Sequence, residues 1–280
     1  MPRFSIVVPA YNAEATLAET LEAVRAQTFA DWECVVVDDG STDGTRALAE
    51  QYAAREPRLR VLGQENRGSG GAYNTGVRAA TGEWVTLCSS DDVLLPEHLA
   101  TMARIIEERP GYDIYSVTGF YWHPDGTRVP VYPPGVEDTA RSWPLSDVMD
   151  RCFYSVGACY RRPLFDEVGG YREDIFGEDY DFWLRAMAAG ARHFYVPQAL
   201  TLHRVSETQK SASKAEAYES DIRSISSLLE AGTLAPGDAR AARAAIRFRK
   251  RLIADVERPN TLTRRLRRAL GPLIARVRGR

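Results

Sequence analysis

Residues 33–45, ECVVVDDGSTDGT, join an apolar run to a turn that is rich in carboxylates and hydroxyls. The β-branched run at Val35, Val36 and Val37 is typical of a strand that is covered on both faces of a parallel sheet. A helical pattern at residues 45–55 follows directly, so the strand passes into a helix across a short polar turn. This order predicts a doubly wound α/β fold.

The alternation of strand and helix continues on both sides of this segment. Apolar runs at residues 4–8, 59–62 and 84–88 alternate with helical patterns at residues 16–27, 73–80 and 96–108. We therefore expect a Rossmann-like, mostly parallel sheet with helices on both faces and right-handed crossovers.

After Pro110 the pattern becomes mixed. Strand-like runs at residues 112–120, 129–132, 157–160 and 193–196 stand among helical patterns at residues 145–151, 163–168 and 179–189. No linker rich in proline, glycine or serine interrupts the sequence before about Pro197. We expect residues 1–205 to form one domain with halves at 1–110 and 111–205, followed by a helical extension at 206–280.

The net charge of −2 is the sum of the charges of two oppositely charged parts of the sequence. Residues 236–280 hold 14 Lys and Arg against 3 Asp and Glu, whereas residues 1–235 hold 22 against 35. An acidic body argues against nucleic acid as a partner. The hydrophobic share of 44% and the charged share of 26% exclude a disordered or fibrous chain.

Cysteine usage and the length of the apolar runs indicate the compartment. Cys34, Cys88, Cys152 and Cys159 are scattered without a CxxC pair, so we expect neither a disulfide framework nor a zinc site. The sequence starts almost directly with a strand-like run, and no run reaches the roughly 18 apolar residues that a spanning helix requires. We expect a soluble cytoplasmic protein without a signal peptide, which can still touch a membrane surface.

Polar side chains follow each of the first four strands, at residues 9–12, 38–43, 66–71 and 89–92. Ligands of open α/β sheets bind in the crevice at the carboxyl ends of the strands, so we expect the site there. Each segment alone also has a structural interpretation. Residues 39–43 and 91–92 suit turns and helix caps, and the glycine-rich residues 68–71 read as a loop that fits no phosphate-binding pattern.

Five segments in this order resemble the successive motifs of family 2 glycosyltransferases. They are SIVVPAYNAEATLAETLEAVRAQTF (5–29), VVVDDGSTDGT (35–45), NRGSGGAYNTGVRAATGEWVTL (66–87), SSDDVLLPEHL (89–99) and VGGYREDIFGEDYDFWLRA (168–186). The resemblance covers about residues 4–203 and implies the A-type glycosyltransferase fold, with a nucleotide-binding half at 1–110 and an acceptor half at 111–205. It also implies an inverting transfer of a sugar from a nucleoside diphosphate to an acceptor hydroxyl.

The resemblance also implies which residues bind the nucleotide. Asp39 matches the carboxylate that accepts the imide N–H of a uracil or thymine ring, which implies a UDP- or dTDP-sugar as donor. Tyr11 and Pro9 would flank the base, where an aromatic face contributes about 1–3 kcal/mol of stacking energy. The full expected set is Pro9, Tyr11, Asn12, Asp39, Arg67 and Ser90, with Arg204 as an alternative cation for the diphosphate.

A divalent cation, Mg²⁺ or Mn²⁺, is implied as the Lewis acid that stabilises the departing diphosphate. By resemblance Asp91 is the metal carboxylate, and Asp92 and His203 are further candidate ligands, although a lone histidine is often structural. Ser89 stands where the family typically has the first aspartate of Asp-X-Asp. We therefore expect weaker metal binding that depends more on the diphosphate.

The acidic pair Glu178-Asp179 resembles the catalytic carboxylates of the family. We expect Asp179 to act as general base on the acceptor hydroxyl, with Glu178 as the second candidate; the alternative is an acidic cluster that stabilises a helix N-terminus. Processive members carry Gln-X-X-Arg-Trp after this point, and residues 181–185, DFWLR, do not fit it, which implies one sugar per encounter. Tyr73 is another departure, since the family often has arginine there.

Residues 261–280, TLTRRLRRALGPLIARVRGR, form a basic amphipathic pattern. Apolar residues at helical spacing among arginines are typical of segments that lie on anionic lipid. A helix docked on the acidic body and an undocked charged tail are the alternatives. The expected partners are therefore a nucleotide-sugar, a glycan or lipid-linked acceptor and an anionic membrane, and not nucleic acid.

Two functions fit this sequence. The first is a non-processive transferase that builds polysaccharide, lipid-linked glycan or a related glycoconjugate, in the cytoplasm or peripherally on the inner membrane face. The second is a catalytically degenerate nucleotide-sugar-binding scaffold or regulator, suggested by Ser89 and Tyr73. A nucleotidyltransferase is disfavoured because no Gly-rich, Lys-containing pyrophosphate loop lies near the N-terminus.

Overall fold

Within the residues that the computed structural model describes, 1–132, 139–151, 157–206 and 214–257, ten strands form one sheet. The strands are β1 (Phe4–Ala10), β2 (Trp32–Asp38), β3 (Leu59–Gly63), β4 (Trp84–Leu87), β5 (Val93–Leu94), β6 (Ile114–Trp122), β7 (Arg128–Pro130), β8 (Arg141–Trp143), β9 (Cys159–Arg161) and β10 (His193–Arg204). The helices are α1 (Leu17–Arg25), α2 (Thr45–Ala53), α3 (Gly68–Ala79), α4 (His98–Glu108), α5 (Leu145–Arg151), α6 (Pro163–Glu167), α7 (Glu178–Ala188), α8 (Lys214–Glu230) and α9 (Pro236–Glu257). The predicted α/β class and the C-terminal helices are confirmed.

The first four strands form the parallel part of the sheet. They lie in the order β3-β2-β1-β4, and all neighbouring pairs are parallel. Their apolar runs are continuous because both faces are covered: Ile6 and Val8 pack with residues of α1 and α4, whereas Val7 packs with residues of α3. The predicted parallel sheet with helices on both faces is confirmed here.

The second half of the sheet is mixed. Strand β9 lies antiparallel between β4 and β6, β10 is parallel to β6, and β5 is antiparallel to β10. The five residues between β4 and β5 are too few for the crossover that a parallel neighbour of β4 requires. Because β5 pairs with β10 instead, the turn at residues 89–92 lies beside His203 and Arg204.

The glycine-rich segment 68–71, which we expected to be a loop, forms the first turn of α3. The expectation was wrong because close packing, rather than helix propensity, decides this segment. A Cβ at Gly70 would lie 2.5 Å from the carbonyl oxygen of Arg172, and a Cβ at Gly76 would lie 2.3 Å from Cγ1 of Val7. The glycines therefore allow α3 to approach both β1 and the chain segment that precedes α7.

The C-terminal helices share a hydrophobic core with the second half of the domain. Residues from α5, α7, α8 and α9 form one cluster, among them Met149, Leu184, Ile225, Leu228, Ala242 and Ala245. This burial fixes α8 and α9 against the helix that carries the predicted catalytic carboxylates.

Arg249 adds a polar connection inside this cluster, where it is 3% exposed. Its Nε donates a hydrogen bond to Oδ2 of Asp221 (2.8 Å), Nη1 to the carbonyl oxygen of Met149 (2.9 Å), and Nη2 to the hydroxyl of Tyr180 (3.0 Å). One guanidinium on α9 therefore joins α5, α7 and α8. A buried cation is tolerated here because a carboxylate and two further acceptors surround it.

Among the described residues, no helix combines the length and the apolar character that crossing a bilayer demands. Cys34, Cys88 and Cys159 are free and buried, as expected for thiols that act as small apolar groups. Cys152 and the amphipathic segment 261–280 lie outside the residues that the structure describes, so the expectations for them stay predictions.

Candidate active site

Asp39 follows β2 with its carboxylate held in one orientation. Its backbone N–H donates to the carbonyl oxygen of Ala10 (2.8 Å), and its Oδ1 accepts hydrogen bonds from Nε2 of Gln64 (2.6 Å) and the backbone N–H of Arg67 (2.9 Å). The residue is 3% exposed. Because both of these donors bond to Oδ1, Oδ2 is the oxygen that is left to accept a hydrogen bond from an N–H of a ligand.

Tyr11 and Asn12 follow β1 beside the turn after β2. The φ angle of Asn12 is 47°, and asparagine adopts this left-handed conformation more readily than most residues. Its Oδ1 accepts from the N–H of Thr42 (2.9 Å), and its own N–H donates to the hydroxyl of Ser41 (3.0 Å). Tyr11 is 52% exposed, and Pro9 lies within β1. The predicted base-binding residues therefore meet at one edge of the sheet.

Arg67 lies at this edge as predicted, but its guanidinium is paired with Glu173. The Nη2–Oε1 distance is 2.5 Å and the Nε–Oε2 distance is 3.1 Å. Asn74 donates a hydrogen bond from Nδ2 to the same carboxylate (3.1 Å). It also forms two hydrogen bonds with the backbone of Tyr171: Nδ2 donates to the carbonyl oxygen (2.9 Å), and Oδ1 accepts from the N–H (2.8 Å). These contacts tie the nucleotide-binding half to the segment that leads into α7.

The turn between β4 and β5 carries the predicted metal carboxylates. The N–H of Asp92 donates to the carbonyl oxygen of Ser89 (3.1 Å), and Ser90 lies partly buried in the same turn. Burial and then the negative charge of Asp92 raise the pKa of Asp91 to about 6, although the charge of His203 acts in the opposite direction. Adjacent carboxylates with a raised pKa favour the binding of a cation.

His203 lies beside this turn because β10 pairs with β5. Its Nδ1 lies 3.0 Å from Oδ1 of Asp92, whose side chain is fully buried. Burial lowers the pKa of His203, but the close contact with Asp92 and the charges of Asp92, Asp91 and Asp179 outweigh this effect, and the net pKa is raised. The structure therefore places His203 beside the acidic turn and near enough to Asp179 for the charge of that carboxylate to act on it, although the three segments are separate in the sequence.

Arg204 supports the acidic turn from the neighbouring position of β10. Its backbone N–H donates to Oδ1 of Asp92 (3.0 Å), and its Nε donates to the carbonyl oxygen of Asp91 (3.1 Å). The guanidinium also pairs with Glu19 and lies 4.3 Å from the centre of the Trp122 ring. These contacts show Arg204 holding the turn; a contact of Arg204 with a diphosphate stays a prediction.

Glu178 and Asp179 form the first turn of α7. Gly177 precedes them at φ 74°, a conformation that favours glycine and that turns the chain into the helix. Glu178 is buried, whereas Asp179 is partly exposed and accepts a hydrogen bond at Oδ1 from the N–H of Tyr180 (2.7 Å). Asp179 is therefore the more accessible of the two predicted catalytic carboxylates.

The two departures from the family pattern lie near each other. Tyr73, on α3, is buried, and Ser89 is near enough to act on the pKa of its hydroxyl. Burial, followed by the negative charge of Glu178, raises the pKa of Tyr73 well above its ordinary value, so the hydroxyl stays protonated. The neutral Tyr73 and Ser89 thus stand where the family pattern has an arginine and an aspartate, so the net charge of the site is the same as in that pattern.

The donor groups around the acidic turn suit a cation that takes further ligands from a diphosphate. Because Nδ1 of His203 faces Asp92, its Nε2 is left for a metal, and a carboxylate behind a histidine is a common way of orienting metal-binding imidazoles. Oδ2 of Asp92 is buried without a hydrogen-bond partner among the described residues, although Oδ1 of the same carboxylate contacts His203 and Arg204. In the described ranges, no three His, Cys, Asp or Glu residues form a group that could hold a metal alone.

Sequence reasoning missed the residues that orient this site. Gln64 follows β3 directly, so the search for polar residues at strand ends could have found it. Glu173 is 106 positions from Arg67, and Trp122 lies on β6, far along the sequence from the turn that it supports. No local pattern indicates those two contacts.

Comparison with known proteins agrees with the geometry. The sequence model of the family described as "Glycosyl transferase family 2" matches residues 5–169. The uncharacterized glycosyltransferase EpsJ of Bacillus subtilis (strain 168) is 32% identical over 214 residues. This match covers 73% of the present chain and 61% of EpsJ, which is less than two thirds of that protein.

Solved structures share the fold. Residues 1–349 of S. aureus TarS match with a TM-score of 0.73 and 25% identity, over 91% of this chain and 74% of that chain. The complex of the same TarS fragment with UDP-GlcNAc has a TM-score of 0.72 and 24% identity, over 87% of this chain and 70% of that chain.

The mannosyltransferase PcManGT of Pyrobaculum calidifontis, in complex with GDP-Man and Mn²⁺, matches with a TM-score of 0.69 and 22% identity, over 98% of this chain and 80% of that chain. These likenesses confirm the A-type glycosyltransferase fold. Since the family model spans more than half of the sequence, the chain belongs to glycosyl transferase family 2.

Proposed function

We propose that the chain transfers one sugar at a time, with inversion, from a UDP- or dTDP-sugar to a hydroxyl of a polysaccharide or lipid-linked acceptor. Three features on the side of the sheet that also holds Asp39 carry this proposal: the carboxylate of Asp91, the imidazole of His203 beside it, and the charge of Asp179, which is near enough to act on that imidazole. Titratable groups with shifted pKa values at the carboxyl ends of strands are typical of active sites. The nucleotide-sugar complexes of the structural neighbours support the class of donor.

Asp39 supports uracil or thymine as the base. With Oδ1 held by two donors, Oδ2 can accept the N3–H of either ring, whereas cytosine presents an acceptor at that position. The UDP-GlcNAc complex of TarS agrees with this choice. Guanine also carries a ring N–H, and PcManGT is described with GDP-Man, so a donor screen must include GDP-sugars.

We propose that Asp91 and His203 would hold Mg²⁺ or Mn²⁺, and that Asp92 acts behind His203. A bound cation supplies positive charge to the diphosphate as the bond to the sugar breaks. The sequence predicts Asp92 as a direct ligand of the metal. In the structure, however, its buried carboxylate contacts Nδ1 of His203 and the N–H of Arg204. Its role in this proposal is therefore to orient the imidazole.

Asp179 is the proposed general base. The acceptor oxygen attacks the anomeric carbon while the bond from that carbon to the diphosphate breaks, and the hydroxyl proton passes to Asp179. A single displacement of this kind inverts the anomeric configuration. The hydrogen bond from Tyr180 to Oδ1 holds the carboxylate, and its partial exposure leaves it open to an acceptor.

The proposal is tested by a donor screen that measures released nucleotide. The full chain is incubated with UDP-, dTDP- and GDP-sugars, with Mn²⁺, with Mg²⁺ or with EDTA. We expect turnover with a UDP- or dTDP-sugar that EDTA abolishes. Absence of hydrolysis and of transfer with every donor, together with nucleotide binding that Asp91→Ala leaves unchanged, would overturn the proposal.

A nucleotide-sugar-binding scaffold is the second candidate function. The neutral Tyr73–Ser89 pair favours it, because this pair leaves one fewer carboxylate for a cation than the family pattern has. Calorimetric binding of UDP-sugars without turnover, across a broad panel of donors and acceptors, would select this function over catalysis.

Replacing Asp39 by asparagine is expected to raise the Kd for UDP about 10- to 100-fold. The two fixed N–H donors require an acceptor, as does the N3–H of uracil, and an asparagine amide can offer only one oxygen to both sides. Calorimetry with UDP and CDP measures the effect, and the preference for UDP over CDP should shrink. The exposed Asp31→Asn removes the same charge and should bind UDP normally; equal affinity of both variants would contradict the role of Asp39.

A further inference from the structure

One face of α9 presents five cationic side chains to solvent. They are Arg240, Arg243, Arg247, Lys250 and Arg251, and all five are exposed. At 100° per residue they occupy an arc opposite to the buried positions Ala242, Ala245 and Arg249, which pack against α5, α7 and α8. We call these five residues the basic face of α9.

No ion pair with the described part of the chain neutralises the basic face. The ion pairs found among the described residues include none of these five side chains, whereas other surface arginines, such as Arg46 and Arg104, pair with a glutamate one helical turn away. The acidic body cannot neutralise the basic face, because α9 turns the opposite side toward it. The five charges therefore point into solvent, on the side of α9 away from the helices on which it packs.

The length and composition of the basic face indicate which class of partner it fits. From Arg240 to Arg251 it extends about 16 Å along a straight helix. Phe248 lies at its margin and is 49% exposed. A cluster of cations on one face of a helix is typical of surfaces that bind anionic lipid headgroups.

We propose that the basic face of α9 docks the protein on an anionic lipid bilayer. The five cations meet the headgroup phosphates, and Phe248 enters the interface beside them. A membrane suits this face better than nucleic acid does, because the exposed residues of α9 include only one aromatic ring, too few to stack successive bases, and residues 1–235 carry a net negative charge. The proposal concerns described residues of α9, and it is independent of any role of residues 258–280.

Docking by α9 has a consequence for the active site, and this consequence rests on the proposed function. Arg249, on the side of α9 opposite the basic face, is hydrogen-bonded to Tyr180, which follows Asp179 on α7. Helix α9 packs on α5 and α8, which in turn pack on α7. Because packed helices lie 8–10 Å apart, docking would hold the catalytic helix within about two helix layers of the lipid. That geometry favours an acceptor that is itself anchored in the membrane.

The test uses the full chain and sedimentation with vesicles. One set of vesicles contains phosphatidylglycerol in phosphatidylcholine, and the other contains phosphatidylcholine alone. The triple variant Arg240→Gln, Arg247→Gln and Arg251→Gln is expected to bind the anionic vesicles about 100-fold more weakly than the wild type, because each cation near such a surface contributes about fivefold. Glutamine keeps the helix propensity, and these side chains are exposed, so the fold is preserved.

The matched control removes three exposed arginines elsewhere, Arg25→Gln, Arg46→Gln and Arg104→Gln, and should bind like the wild type. Phe248→Ser alone should weaken vesicle binding without changing its dependence on salt. Equal binding of the triple variant and the wild type would overturn the proposal, as would equal binding to both kinds of vesicle, or displacement from anionic vesicles by duplex DNA at stoichiometric concentration. Nucleotide release in solution without vesicles tests the proposed function separately, so the two failures are distinguishable.

Discussion

An Asp179→Asn variant is expected to lose about a thousandfold in kcat for sugar transfer, while its Kd for the donor nucleotide stays within about twofold. Asparagine cannot take the proton of the acceptor hydroxyl, although it preserves the shape of the side chain and its hydrogen bond from Tyr180. The proposed nucleotide contacts, Asp39 and Tyr11, follow β2 and β1 and not α7, so binding should persist. Release of nucleotide at saturating donor and acceptor gives kcat, and calorimetry gives Kd.

Glu178→Gln is the matched control, since it makes the same change of charge one residue earlier. Glu178 is buried in the first turn of α7, and we expect a much smaller loss of kcat. Should Glu178→Gln lose the thousandfold instead, with Asp179→Asn active, then Glu178 is the base and the assignment to Asp179 is wrong. A loss of donor binding in Asp179→Asn would point to a structural role for this carboxylate.

An Arg249→Met variant is expected to lower the free energy of unfolding by about 3–5 kcal/mol. The substitution leaves the carboxylate of Asp221 buried without its cation, and it removes donors from the carbonyl of Met149 and the hydroxyl of Tyr180. Urea denaturation, followed by a spectroscopic signal of the folded state, measures the difference from the wild type.

Two further variants separate loss of the ion pair from loss of packing. The double variant Arg249→Met with Asp221→Leu should recover most of the lost stability, because no unpaired charge is then buried. Arg243→Met changes an exposed cation of the same helix and should stay within about 0.5 kcal/mol of the wild type. Wild-type stability in the single Arg249→Met variant would contradict the packing of α9 described above.

Local sequence pattern was sufficient for the nucleotide-binding half of the sheet. Apolar runs such as Val35–Val37 predict strands because a strand covered on both faces has no polar side, and the carboxyl ends of parallel strands necessarily meet at one edge. The same pattern therefore suffices to place Asp39 and Asp91 at one edge of the sheet. The family resemblance, which the matched family model confirms, added roles that this pattern does not contain.

Other features depend on contacts between residues that are distant in the sequence. Gly70 lies in a helix rather than in a loop because its missing side chain makes room for the carbonyl oxygen of Arg172, and helix propensity carries no information about that neighbour. The pairing of Arg67 with Glu173 is of the same kind. Antiparallel pairing of the two-residue β5 with β10 likewise places Asp92 behind His203.

The amino-acid sequence alone establishes the fold class, the family and the edge of the sheet at which the polar residues gather, because these follow from periodicity and from motifs of adjacent residues. Which residue at that edge has which proposed role depends on the packed structure. Asp92 and Glu178 are buried, whereas their neighbours Asp91 and Asp179 are partly exposed. On α9, the basic face is exposed, whereas Arg249 is buried. Neighbouring residues of similar type differ in burial in these cases, because the burial of a side chain depends on which distant segments pack over it.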